Sequence, residues 1–185
     1  MSAGHGHGAE PHGPGNKGIA LLISVLALVL AFAETLGKNA QTAAIAHNIE
    51  ASNLWAFFQA KTIRQTVLRT AAEQTAVVSS SEHSKRQVDK WLDTAKRYQS
   101  EPETGEGREQ LAARAKEAEG KRARAGAAYH NFESASALTQ IAIVLASAAI
   151  ITGIAALVWI ASGLGVIAVF FCVTGFFFPT AIHLF

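Results

Sequence analysis

Residues Ile141–Ala161, IAIVLASAAIITGIAALVWIA, decide the fold class of this chain. The stretch has no charged side chain and is long enough to cross a hydrocarbon core of roughly 30 Å as a helix. A second apolar run, VIAVFFCVTGFFFPTAIHLF, follows after a short turn, and a third lies near the amino terminus. We therefore expect an all-α membrane protein with three transmembrane helices, at 19–36, 138–161 and 164–182.

Charged residues are segregated from these apolar runs. Of 16 Lys and Arg, all but Lys17 lie between Glu34 and Glu133, and so do all Asp and Glu except Glu10. This segregation is typical of an integral membrane protein. The net charge of +2 and the interleaving of acids with bases give no basic face for nucleic acid. The single cysteine, Cys172, can form no intramolecular disulfide and is expected to be a small buried residue.

The first eighteen residues, MSAGHGHGAEPHGPGNKG, form a tail rich in Gly, His and Pro. Such a composition cannot bury enough surface to fold alone. Its spaced imidazoles, His5, His7 and His12, raise the possibility of metal binding. A flexible polar tail is the simpler interpretation.

Ile19–Leu36 has two interpretations. A basic flank at Lys17 and a small-residue pattern at Ala31–Phe32–Ala33 fit a secretory signal peptide. The Gly-Pro-His tail is an unusual leader, so we expect a retained first span. Glu34, at its end, is either an ion or proton site or a carboxylate at the level of the lipid headgroups.

Residues 37–137 form a helical insert between the first two spans. From Lys38 to Glu101 there is neither Gly nor Pro, and the serines near Ser80 allow a bend. The stretch SEPETGEG then stops the helix, and an alanine-rich helix resumes at Arg108. This pattern predicts an antiparallel, coiled-coil-like hairpin with an exposed tip near 101–107.

Steps of three and four residues define a heptad seam along the first arm. Its members are Ile45, Ile49, Ser52, Ala56, Gln59, Ile63, Val67, Thr70, Gln74, Val77, Ser81, Ser84, Val88, Trp91, Ala95 and Tyr98. The second arm is expected to continue into the second span as one helix from about Arg108 to Trp159. A tight turn at Ser162–Gly165 would follow.

The predicted arms are unequal in length, which leaves residues 38–60 without a partner. Leu54, Phe57 and Phe58 form a second apolar patch there, with Trp55 on another side. Two apolar faces on one helix suggest an additional contact. A neighbouring copy is the preferred occupant, and the membrane surface is the alternative. Small residues in the second span, among them Ala149 and Gly153, would allow close helix packing in lipid.

The distribution of basic residues predicts the orientation. Lys38, Lys121, Arg122 and Arg124 lie near the spans on the insert side, against Lys17 alone on the tail side. Positive residues stay on the cytoplasmic side, so the hairpin is expected to be cytoplasmic.

The segment AETLGKNAQTAAIAHNIEASNLWAFFQAKTIRQ carries a family resemblance. With Glu34 closing the first span and the runs IEASN and WAFFQAK, it resembles small bacterial inner-membrane proteins classified only as a domain of unknown function. The resemblance covers nearly the whole chain beyond the tail. It implies a bacterial inner membrane, three spans and a helical insert, and it implies no activity.

Three classes of function remain. A non-enzymatic scaffold that self-associates in the lipid bilayer is the first, with Leu54, Trp55, Phe57, Phe58, Ala149 and Gly153 as contact residues. An oligomeric channel or proton-linked transporter is the alternative, with Glu34 and His47 as ion-sensitive residues. No nucleophile turn or metal-ligand pair supports an enzyme, and neither cofactor nor metal is expected.

Overall fold

The computed structural model describes the backbone of residues 14–181 and the side chains of residues 17–181. Four helices make up this part of the chain, with no strand: α1 (Pro14–Val78), α2 (Glu82–Gln99), α3 (Arg108–Thr152) and α4 (Ala155–Phe177). The all-α prediction is confirmed. The histidines of the amino-terminal tail and His183 lie outside the described residues.

Three of the four helices, α1, α3 and α4, are long and apolar enough to cross a membrane. Their most apolar windows have mean hydropathies of 2.5, 1.9 and 2.5. The prediction of three apolar helices is thereby confirmed, and the chain is compatible with a membrane protein.

The boundary between α3 and α4 lies earlier than predicted. The helix ends at Thr152, and the next residue, Gly153, has a φ of +71°, in the left-handed region that glycine adopts without strain. The predicted helix from Arg108 to Trp159 was therefore wrong, and Ser162–Gly165 lies inside α4 rather than in a turn. A break there would leave a last helix too short to cross a bilayer, whereas α4 has 23 residues, about 35 Å.

The described residues divide into two compact units. The first consists of the residues up to Ala40 and those from Ala127 onward, and the second is 41–126. In the first unit small residues let three helices approach closely. Gly165 shows this best, because a Cβ added to it would lie 2.7 Å from Leu26 Cδ2.

In the second unit, α2 and the first part of α3 pack one after the other along α1. Gln65 Nε2 of α1 donates to Ala95 O of α2 at 2.9 Å. Nearer the amino terminus of α1, Trp55 Nε1 donates to Glu119 Oε1 of α3 at 2.8 Å. The predicted two-armed hairpin is therefore replaced by two short helices in tandem against one long helix.

Helix lengths explain this tandem arrangement. α2 has 18 residues and the α3 segment up to Gly126 has 19, which together match the 38 residues of α1 from Gln41 to Val78. The two segments together are therefore long enough to cover α1 from Gln41 to Val78. The reversal of the chain lies at the serines between α1 and α2. The glycine-rich segment before α3, predicted to be an exposed tip, instead connects α2 to α3 beside Lys61.

Ser81 begins α2 after the reversal. It has extended backbone angles (φ −61°, ψ 151°), and its Oγ accepts a hydrogen bond from Ser84 N at 3.2 Å. Such an N-cap satisfies a backbone donor that has no partner within the helix.

Replacing this cap tests its contribution. We expect Ser81→Ala to destabilise α2 by about 1 kcal/mol, because one N–H loses its acceptor. Faster amide hydrogen exchange in the first turn of α2, in the full-length protein, would report the change. Ser81→Asp, which also caps, should restore protection, and equal exchange in all three proteins would contradict the assignment.

Candidate functional site

Two seams run along α1 in the second unit, on opposite sides of the helix. The buried seam follows steps of three and four and comprises Ala51, Leu54, Phe58, Lys61, Gln65, Leu68, Ala72 and Thr75, all buried or half-buried. Against its lower part pack Leu111, Ala115 and Ala118 of α3. This seam holds the unit together.

The exposed seam is part of the heptad seam anticipated from the sequence. Its apolar members, Ile45, Ile49, Ile63, Val67 and Val77, are each between 55% and 87% exposed. At 100° per residue these positions lie about 180° from the buried seam. These five aliphatic side chains are therefore mostly open to their surroundings and belong to no core cluster of the unit.

The predicted contact patch turns inward instead. Leu54 is 8% exposed and belongs to the hydrophobic core, and Trp55 and Phe58 pack against that core. The rings of Trp55 and Phe58 meet edge to face at 5.4 Å. Of the patch, Phe57 stays exposed, with Lys61 Nζ 5.4 Å from its ring centre. The alanines of α3 leave room for Leu54, Trp55 and Phe58, and the intermolecular contact expected of this patch stays a prediction.

A buried lysine lies at the connection between α2 and α3. The Lys61 side chain is 6% exposed, and its Nζ lies 3.7 Å from Glu101 Oε2 and 3.6 Å from Glu106 Oε2. The Tyr98 ring centre lies 5.0 Å from the same nitrogen. The buried charge is therefore compensated by two carboxylates and two aromatic faces.

A second polar group lies one turn further along α1. Arg108 Nη1 donates to Gln65 Oε1 and, at 3.1 Å, to Gln99 Oε1, while its guanidinium lies 4.9 Å from the Phe58 ring centre. These bonds join all three helices of the unit. They fix where α2 ends and α3 begins along α1, which the hydrophobic pattern alone does not specify.

Removing the buried ammonium tests this arrangement. We expect Lys61→Ala to destabilise the second unit by about 2 kcal/mol, since Glu101 and Glu106 lose their counter-charge and a cavity opens. Hydrogen exchange at the carboxyl end of α2 measures the effect. Lys61→Met removes the charge but keeps the aliphatic volume, so it should cost less than Lys61→Ala. A Lys61→Met variant as stable as the parent would show that the charge contributes nothing.

The carboxyl group of Glu109, in the first turn of α3, has a lowered pKa. Hydrogen bonds from Gln99 and Ser100 lower the pKa of its carboxyl group, and Gln99 Nε2 lies 3.0 Å from Glu109 Oε1. The charged form is favoured in the folded state. Its contribution is therefore complete at neutral pH and is lost as the pH falls through this lowered pKa.

A titration of Glu109 by nuclear magnetic resonance checks this effect. We expect the Gln99→Ala variant to raise the Glu109 midpoint toward the ordinary value for glutamate, because the main donor is gone. An unchanged midpoint would contradict the role of Gln99.

Glu34 and His47 do not form one site. Glu34 is exposed and accepts a hydrogen bond from Gln140 Nε2 at 3.4 Å. His47 Nδ1 lies 3.3 Å from Glu50 Oε2. The two residues belong to different units, and each has its own partner.

The two small residues predicted as membrane contacts have different surroundings. Ala149 is buried within its own unit, and Gly153 is exposed at the break between α3 and α4. Neither therefore lines a free helix face. Among the described residues there is also no group of three His, Cys, Asp or Glu side chains that could hold a metal ion.

Comparison with known proteins gives one match. Residues 15–178 match the family described as a domain of unknown function, DUF4337. No curated protein and no solved structure matches the chain. Since the match covers all four helices, the chain belongs to the DUF4337 family.

Proposed function

We propose that this protein is a non-enzymatic integral membrane scaffold that self-associates into homo-oligomers through the exposed seam of α1. The observation that carries the proposal is the row of five exposed Ile and Val side chains opposite the buried seam. A soluble helix normally buries one face, and this helix has a second aliphatic one.

The spacing of the exposed seam favours a helix as its partner. Its ten positions from Ile45 to Val77 alternate by three and four residues, with one extra step of four between Ile63 and Val67. That alternation keeps side chains in line only against another supercoiled helix, and one additional four-residue step unwinds the supercoil locally. A lipid surface would not require it.

The charge pattern favours a second copy of the same helix. Positions beside the seam are mostly uncharged, including Asn48, Asn53, Ala60, Thr66 and Ala71. When like helices pair, each flanking residue meets its own kind, so charged flanks would repel. Partners of different sequence are instead usually selected by complementary flanking charges.

The exposed apolar area is of the size that association between two copies requires. Burying a half-exposed Ile or Val contributes about 1 kcal/mol or more, and two copies supply ten such side chains. The sum, on the order of 10 kcal/mol, is comparable with the roughly 4–15 kcal/mol cost of association. Confinement in one bilayer lowers that cost further.

The proposed location is a bacterial inner membrane, with the second unit in the cytoplasm. The family resemblance supports the membrane, and the excess of Lys and Arg in the insert supports the side. Reporter fusions placed between α2 and α3 and after α4 would check the orientation. If a reporter that is active only in the periplasm is active when inserted after Glu103, the proposed orientation is wrong.

A channel or proton-linked transporter is the alternative. Glu34 with its partner Gln140 supports it as a polar pair beside an apolar segment. Against it, the sequence from Ser134 to the end contains no Asp, Glu, Lys or Arg, so the apolar parts of α3 and α4 offer Glu34 no charged partner. Ion flux in liposomes that is lost in Glu34→Gln would favour the channel.

The mass of the full-length protein in mild detergent tests the scaffold. We expect a multiple of the 19.5 kDa chain after the detergent contribution is subtracted in light scattering. The proposal would be rejected if the particle in detergent had the mass of one chain and lipid nanodiscs also held one chain each.

A further inference from the structure

We infer that the exposed seams of α1 pair in parallel and in register between copies inserted in the same bilayer. The inference rests on the proposed self-association and adds its geometry. It makes Gln59 and Gln74 the residues that select the register.

The direction follows from how α1 begins. The helix is continuous from Pro14 to Val78, and its most apolar part precedes the exposed seam. Copies inserted with the same orientation all leave the bilayer in the same direction along α1. An antiparallel pair over the full seam would require chains of opposite orientation or two facing membranes.

The register follows from two glutamines on the exposed seam. In a parallel pair without offset, Gln59 meets Gln59 and Gln74 meets Gln74, and each amide has both a donor and an acceptor for the other. An offset of one heptad would place Gln74 opposite Val67. A buried amide without a partner costs about 1–3 kcal/mol, so the offset pair is disfavoured.

Residues that continue the alternation toward the amino terminus are compatible with parallel pairing. The steps lead from Ile45 back through Lys38 and Glu34 to Ala31 and Ala27. In an in-register pair Lys38 faces Lys38 and Glu34 faces Glu34, but each lysine also lies one turn from the glutamate of the other copy, so unlike charges oppose the repulsion between like ones. The two alanines are exposed, and no bulky side chain obstructs an approaching helix on that line.

Disulfide crosslinking tests the inference on the full-length protein in native membranes. The background is Cys172→Ala, which removes the native thiol. Gln74→Cys lies on the exposed seam, and Gln41→Cys lies one step before Ile45 at its other end. Both positions are exposed, and each variant retains the five aliphatic residues of the exposed seam. Gln59 remains to select the register in the Gln74→Cys variant. Ala113→Cys, exposed on α3, is the control.

We expect Gln41→Cys and Gln74→Cys each to form covalent dimers several-fold more than Ala113→Cys, since only in-register parallel helices bring equal positions within disulfide reach. Crosslinks formed only when differently tagged Gln41→Cys and Gln74→Cys chains are coexpressed would show antiparallel pairing. That result overturns this inference and leaves self-association standing. No crosslink above the control, together with the mass of a single chain, would overturn both.

Discussion

Ile63→Glu is expected to dissociate the oligomer while leaving the fold of the chain intact. Ile63 is 65% exposed in the middle of the exposed seam and is not part of the hydrophobic core of its unit. In a paired seam the substitution removes aliphatic burial from two chains and brings two carboxylates together. We expect a loss of about 3 kcal/mol, on the order of a hundredfold in the association constant. Light scattering in mild detergent, over a range of protein concentrations, measures it.

Ala113→Glu is the matched control for this substitution. Ala113 is also exposed on a helix of the same unit, and the change adds the same charge away from the exposed seam. The control should keep the parent mass, and helical circular dichroism should be unchanged in both variants. If Ile63→Glu has the same mass as the unsubstituted oligomer, the assignment of the interface is contradicted, whatever the size of that oligomer.

Gly107→Ala is expected to disrupt the connection between α2 and α3. A Cβ at this position would collide with Glu101 N and lie 2.8 Å from Ser100 Cα, which is too close for non-bonded atoms of the backbone. The connecting segment would have to shift, moving Glu101 away from Lys61. We expect a destabilisation of about 3 kcal/mol or more for the second unit. Hydrogen exchange of the last turn of α2 in the full-length protein is the measurement.

Gly120→Ala is the control because the same change meets open space. No atom lies within 4 Å of the added Cβ, and Gly120 is inside α3. Alanine there should stabilise the helix by about 0.5–1 kcal/mol, since glycine is the poorer helix former. The two alanine variants should therefore shift protection in opposite directions. Protection at the end of α2 that survives Gly107→Ala would refute the close contact.

The sequence by itself determined the fold class and the apolar helices. Uninterrupted apolar runs of bilayer length, with charges confined to the insert, leave an all-α chain with three spanning helices as the economical outcome. It also located the helix break before Arg108, because Pro102, Gly105 and Gly107 cannot continue a helix readily. The two apolar faces of α1 were visible in the pattern as well.

Only the tertiary structure decided which face of α1 is buried. Two seams with the same three–four spacing compete, and the pattern favoured the more aliphatic row that starts at Ile45. Packing instead favours the row containing Leu54 and Phe58, because these large side chains fit against the alanines of α3. The polar members of that row, Lys61 and Gln65, have partners on α2, on α3 and on the segment that connects them. Complementarity of shape and buried hydrogen bonds depend on residues far apart in the sequence, so periodicity within one helix cannot rank the two faces.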